Sequence, residues 1–210
     1  MQLNVNATRM ELLKLKRRLV TAKRGHKLLK DKRDELMKEF MQRIRETRDT
    51  RRVVEEKLTR AAQAFLVARA VMSDEVLEEA IMFPKVKVSL EVGEQHVMGV
   101  TVPVLVAKTE GDPYNYGFVT TSAELDTAIG KYNEALPDMI KLAEMERTIE
   151  LLANEIEKTR RRVNALEYVL IPQLEETVKS ISMKLAEQER ANATRLMKIK
   201  DIVRKEETAN

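Results

Sequence analysis

Residues 8–40 read TRMELLKLKRRLVTAKRGHKLLKDKRDELMKEF. Thr8 and Glu11 stand three apart in the form of a capping box, which starts a helix. Behind them Leu12, Leu15, Leu19, Ala22, His26, Leu29, Arg33, Leu36 and Phe40 recur at alternating three- and four-residue steps. That is heptad spacing, which gathers one seam on one face of a helix. His26 and Arg33 are its polar intrusions. His26 reads as a register-setting polar core residue, with a pH switch as the alternative. The step from Phe40 to Ile44 is four where three is due, a stutter. The alternation then resumes through Thr47, Arg51, Val54, Leu58, Ala61, Phe65, Ala68 and Met72. Neither Gly nor Pro interrupts between Gly25 and Pro84, so the first helical arm is expected over residues 1–83. About 75 helical residues at 1.5 Å each give a rod of roughly 110 Å.

A second seam mirrors the first in the C-terminal arm, residues 137–210. It runs Leu142, Met145, Ile149, Leu152, Ile156, Thr159, Val163, Leu166, Leu170, then Leu174, Val178, Ile181 and Leu185. It weakens near Gln188 and Asn192 and recovers at Leu196, Ile199 and Val203. Two such arms must fold back on each other to bury their seams. The expected fold is therefore all-α dominated: a long antiparallel two-helix coiled coil, with a small insert at the end away from the termini. If the ends are flush, with Leu12 near Val203, Pro172 falls near residues 40–44. Pro172 removes the amide that would bond the Tyr168 carbonyl, so a local bend or unwinding is expected there.

The insert, residues 84–136, changes period. Val86, Val88, Leu90 and Val92 alternate, Val92-Gly93-Glu94-Gln95 reads as the turn, and Met98, Val100, Val102 and Val104 alternate again. This predicts a β-hairpin with its apolar residues on one face. A second capping box, Thr121-Ser122-Ala123-Glu124, predicts a short helix that ends before Pro137.

Composition agrees with a rod. Aromatic residues are 4%, charged residues 34%, and Trp is absent; few large rings leave a thin core. Hydrophobic content of 43% and a net charge of only +4 argue against disorder. The absence of Cys excludes disulfides and thiolate metal sites and suits a reducing compartment. No apolar stretch reaches the ~18 residues a membrane span needs, and no apolar leader opens the chain, so no direct membrane insertion is expected.

Little catalytic chemistry is present. His26 and His96 lie on separate segments and form no local metal cluster. Gly130-Lys131 resembles the end of a phosphate loop, but Leu125 stands where the earlier Gly belongs and Tyr132 where Ser or Thr belongs. The expectation is no catalytic residue, no metal and no cofactor. What is unusual is charge placement. From Arg9 to Arg33 eleven basic residues face only Glu11 and Asp31, a local net of +9. A field this one-sided repels itself and is usually answered by a partner. The candidate partner-facing sleeve is Lys14, Lys16, Arg17, Arg18, Lys23, Arg24, Lys27 and Lys30. The bland reading is a solubilising helix face. Aromatic residues for base stacking are missing from the stretch, which weighs against single-stranded nucleic acid.

Residues 4–36, NVNATRMELLKLKRRLVTAKRGHKLLKDKRDEL, resemble the opening of the D subunits of V-type and archaeal-type rotary ATPases. Residues 155–181, EIEKTRRRVNALEYVLIPQLEETVKSI, resemble that family's C-terminal signature, carried here by Arg160, Arg161, Arg162, Asn164, Glu167 and Pro172. The short tail after Val203 resembles prokaryotic members. The resemblance implies a non-catalytic central-stalk rotor that transmits torque between an ATP-hydrolysing or ATP-synthesising ring and an ion-translocating (H+ or Na+) membrane ring. It implies as partners the ring's catalytic and regulatory subunits, a small F-type stalk subunit and a funnel-shaped subunit capping the membrane ring. It places the protein in the cytoplasm, peripheral to the membrane, without nucleic acid. The sleeve would face the ring wall, and the hairpin residues Val86, Val88, Leu90, Val92, Met98, Val100 and Val102 would serve docking. The alternatives are a prefoldin-like chaperone, which also sets β-hairpins between coiled-coil arms, and a coiled-coil nucleic-acid binder. Chaperone arms end in apolar tips, whereas this chain ends in Lys198, Lys200, Arg204, Lys205, Glu206 and Glu207.

Overall fold

A computed structural model describes residues 5–117 and 119–207, with side chains described through Asp201. The side chains of Val203, Arg204, Lys205, Glu206 and Glu207 lie outside the described residues. In chain order the elements are α1 (Arg9–Val71), α2 (Asp74–Met82), β1 (Lys87–Val97), β2 (Val100–Glu110), α3 (Ala123–Ala165), a π-helical turn (Leu166–Leu170) and α4 (Ile171–Glu207). This is the expected helix-dominated fold with a two-stranded insert. Its contacts divide into two compact units: the chain through Asp34 together with the chain from Glu157 on, and Glu35–Ile156.

In the first unit α1 opens as its sequence dictates, the Glu11 amide donating to Thr8 Oγ1 at 3.3 Å. The Glu11 carboxylate does not close the box; it accepts from Lys14 instead. Leu15, Ala22, Leu174 and Ile181 are buried together, with Leu12, Leu19, Leu170, Val178 and Leu185 packed around them. The pairing is antiparallel: Arg9 meets Glu189 and Lys23 meets Glu175, each at 2.6 Å. The ends are therefore not flush. Pro172 lies at the start of α4, and the side chains on either side of it meet the stretch of α1 around Ala22, Lys23 and His26, so its expected place beside residues 40–44 is wrong. A seam of three- and four-residue steps still faces its partner when slid along it from step to step, and the spacing alone does not fix the alignment. Among the described residues, 186–201 of α4 share no buried seam and are exposed throughout, so the seam expected to recover at Leu196 and Ile199 does not: they are 67% and 55% exposed.

The local unwinding expected near Pro172 is present as a π turn. The Ile171 amide donates to the Leu166 carbonyl, five residues back. The wider turn carries one extra residue and relieves the crowding that the proline ring imposes on the preceding turn.

In the second unit α1 pairs with α3, again antiparallel: Arg51 reaches Glu146 at 2.8 Å and Lys57 reaches Asp138 at 2.5 Å. Small residues dominate this stretch of core, with Ala61, Ala68, Ala128 and Ala135 fully buried. Two helix boundaries differ from expectation. The first arm breaks at Ser73, after which α2 begins. The helix expected to stop before Pro137 runs through it. One lost hydrogen bond does not end a helix held on both sides by tertiary contacts, here buried Ala135 and the Lys57–Asp138 pair. The cap is Ser122, one residue later than expected, its Oγ accepting from the Glu124 amide.

The hairpin is the largest departure. Its reversal is at Met98-Gly99, both with positive φ (52° and 78°), the signature of a two-residue I′ turn. Gly93 lies mid-strand opposite Val104. Moving the turn from 92–95 to 98–99 changes which residues share a face. The strands pair Val92 with Leu105 and Gln95 with Val102, so the even-numbered residues of β1 face away from the even-numbered residues of β2. Val100 and Val102 turn inward and are buried with Leu36, Leu152 and Ile156. Val88, Leu90 and Val92 turn outward, 47%, 50% and 64% exposed. The expectation of one apolar face is thus corrected to two: an inner row on β2 and an outer row on β1.

A candidate partner surface: basic sleeve, signature turn and apolar groove

Lys14, Lys16, Arg17, Arg18, Lys23, Arg24, Lys27 and Lys30 are all exposed on α1, flanking the buried Leu15 and Ala22. Lys14 is held by Glu11 and Lys23 by Glu175. Among the described residues Lys16, Arg17, Arg18, Arg24, Lys27 and Lys30 make no ion pair, so their charge is directed to solvent. The helix geometry that buries the seam spreads these side chains over the remaining face, where no described acidic side chain neutralises them.

The signature residues lie on the facing arm of the same unit. Arg160, Arg161, Arg162, Asn164, Glu167 and Pro172 are exposed, while Thr159 just before them and Val163 among them are buried. Arg161 pairs with Glu157, and the guanidinium holds that carboxyl below the usual carboxylate range. Glu167, inside the π turn, lies 3.3 Å from His26 Nε2. The signature and the sleeve therefore meet at one level, around His26. Tyr168 and Val169 of the same turn are exposed.

The second unit carries a surface that no single sequence pattern announces. Phe65, Ile81, Phe83, Pro84, Val86, Tyr132 and Met139 line a groove of about 570 Å³. Ile81, Met82 and Phe83 project from the end of α2, Phe83 at 76% exposure. The signal in the sequence is three consecutive apolar residues before Pro84, which on periodicity alone simply continue the first arm. The groove's polar border is fixed. Tyr116 donates to Asp126, and burial, then that hydrogen bond, raises the Tyr116 hydroxyl above the ordinary tyrosine value. Gly111 (φ 107°) closes the base of the hairpin where any Cβ would sit 2.5 Å from the Lys85 carbonyl oxygen.

Of the hairpin residues named from sequence, Val100 and Val102 are core, Val88, Leu90 and Val92 are surface, Met98 is in the turn and Val86 lines the groove. The structure does not bring them together as one patch. No helix among the described residues is long and apolar enough to cross a membrane. Among the described residues no group of three or more His, Cys, Asp or Glu side chains is placed to hold a metal ion.

Comparison with known proteins agrees across nearly the whole chain. Residues 11–201 match the family model that describes the D subunit of ATP synthase. A V-type ATP synthase D subunit from Acetivibrio thermocellus is 60% identical over 205 residues, covering 96% of this chain and 92% of the relative. The protein of that name from Clostridium novyi is 54% identical, covering 98% of each. One from a Thermoanaerobacter species is 56% identical, covering 97% and 98%. These names lend no support to the chaperone or the nucleic-acid reading.

Proposed function

This chain belongs to the family of ATP synthase D subunits, and on that premise we propose that it is the central-stalk rotor of a V-type ATP synthase, a non-catalytic shaft peripheral to the membrane. The observation that carries the reading is the helix pairing itself. A shaft must transmit torque without unwinding. Here α1 runs 63 residues as one helix, and within each unit it is paired antiparallel to the C-terminal arm by a buried seam. Paired helices with a shared core resist twisting far better than single ones, because rotation of one must displace the knobs of the other.

The sleeve fits a bearing. Charges on long, flexible Lys and Arg side chains interact with an acidic wall over a broad distance and favour no single angle strongly, unlike interlocking apolar contacts. The terminal arms would stand inside the ring of catalytic and regulatory subunits. The second unit, with its outward valine row and the Phe83 groove, would engage the small F-type protein of the stalk and the funnel-shaped protein that caps the membrane ring. Chemistry belongs to the ring, and this chain contributes the sequence of angles.

The test is reconstitution of the chain with the rest of its complex, a bead fixed through the variant Met82→Cys. ATP-driven stepping of the bead supports the rotor reading. Full ATP turnover with the bead stationary would sink it.

A further inference from the structure

We propose that β1 is a receptor edge, taking up an extended segment of a different protein chain as a third strand of the sheet. Two independent features of one strand carry this. The first is its edge. Among the described residues β1 pairs only with β2, in eleven uninterrupted residue pairs with no bulge. The far edge of β2 is a poorer template: the Leu105 amide already donates to the Glu144 carboxylate at 2.8 Å, and Pro103, two residues earlier on that edge, has no amide to offer. β1 is exposed from Lys87 through His96. Every second amide and carbonyl along it therefore has no partner in the sheet, and no proline or bulge blocks addition. Such an edge is a template for another strand.

The second feature is the outer row. Val88, Leu90 and Val92 stand outward beside Leu105 and Ala107, their cross-strand neighbours. In a hairpin whose only role was to cover the helices, these positions would be polar. An added strand with apolar residues at alternate positions covers them. The intervening row fixes register: Lys87 asks for an acid opposite it and Glu91, already paired with Lys108, for a base.

A second copy of this chain satisfies the charge rule in one antiparallel register, Lys87 opposite Glu91 and Val88 opposite Leu90. Within β1 that register joins only residues 87–91 of each copy. Such a short ribbon falls well below the ~1,200 Å² that stable interfaces bury. The occupant is therefore a different chain, long enough to follow the whole edge and cover the outer row. Its source, a neighbouring protein of the same complex, rests on the rotor reading.

The experiment is residue-resolved amide hydrogen exchange on the full chain, alone and in the assembled complex, with wild type, Leu90→Lys and Val92→Lys. In the isolated monomer the edge-facing amides of β1 should exchange fast and the β2-facing amides slowly, in alternation. On assembly the edge-facing set should slow by at least tenfold, and both lysine variants should lose that protection while entering the complex. Assembly without protection of the edge set overturns the proposal alone, as does protection retained in both variants. Protection that appears in the isolated chain and disappears on dilution overturns it in favour of self-pairing. A chain that enters no complex overturns this proposal and the rotor reading together.

Discussion

His26 Nε2 lies 3.3 Å from the Glu167 carboxylate, a seam histidine of α1 facing the middle of the π turn. His26 is half-buried and Glu167 is exposed, so the pair stands at the border of the core, where a polar contact contributes at most about 1 kcal/mol. A leucine at this position would extend the apolar seam. His26→Leu is expected to raise stability by about 1 kcal/mol, read as an increase in Tm by circular dichroism. A lower Tm would mean that the pair is a net stabiliser of the turn.

Pro172 follows the π turn directly. With alanine there, the Tyr168 carbonyl regains a possible amide partner and the wide turn loses its cause. Pro172→Ala should stabilise the first unit by about 1 kcal/mol, less than the ~3 kcal/mol of an unrelieved helix proline, because the π turn already removes most of the clash. Hydrogen exchange at residues 166–174 should slow with it. Faster exchange there would show that the proline holds the turn in place.

The hairpin should prove inseparable from the helices beneath it. Leu36 and Leu152 are fully buried in one cluster with Val100 and Val102. Replacing Val86–Val106 by a polar linker uncovers both leucines and should cost several kcal/mol by the usual measure of buried apolar area. The smaller change Val102→Ala should cost about 1–3 kcal/mol. The sequence pattern alone suggests a detachable insert, since both seams lie outside it. Denaturant midpoints unchanged in both variants would restore that view.

Met98 occupies a left-handed position that a side chain of its kind adopts at a cost of about 1 kcal/mol. Asparagine tolerates that conformation and precedes Gly99 in the favoured I′ pairing. Met98→Asn should therefore stabilise the hairpin by roughly 0.5–1 kcal/mol, seen as slower amide exchange across β1 and β2. No change would mean that packing of Met98 offsets its backbone strain.

Charge reversal to Glu at Arg17, Arg18, Arg24 and Lys27 should leave the helical signal intact, since all four are exposed beside the seam. It should lower recovery of the chain in the assembled catalytic ring at least tenfold at low salt. Recovery equal to wild type would rule out an electrostatic bearing.

The first seam, and the second as far as Leu185, were legible because one rule, apolar residues every three or four positions, decides them; Leu196 and Ile199 obey the same rule and are exposed. From Leu12 to Met72 each seam residue is buried or half-buried except Arg51, which leaves the core to meet Glu146. The offset between the arms was not legible, since it depends on which steps of the two seams face each other. The hairpin turn misled for a local reason: Val92-Gly93-Glu94-Gln95 has better turn chemistry than Met98-Gly99, and only the packing of Val100 and Val102 on Leu36 and Leu152 selects the latter. The basic sleeve was readable from charge alone. The Phe83 groove was not, because its walls come from four separate stretches of chain.

The ion pair between Arg9 and Glu189 joins residues 180 positions apart. During synthesis at ~5–20 residues per second, the start of the first arm leaves the ribosome roughly 10–40 s before its partner at Glu189 exists. Through that interval its leucines have nothing to cover them. A newborn chain of this design therefore depends on its surroundings to prevent aggregation, and the strong positive charge at its leading end helps by keeping nascent copies apart.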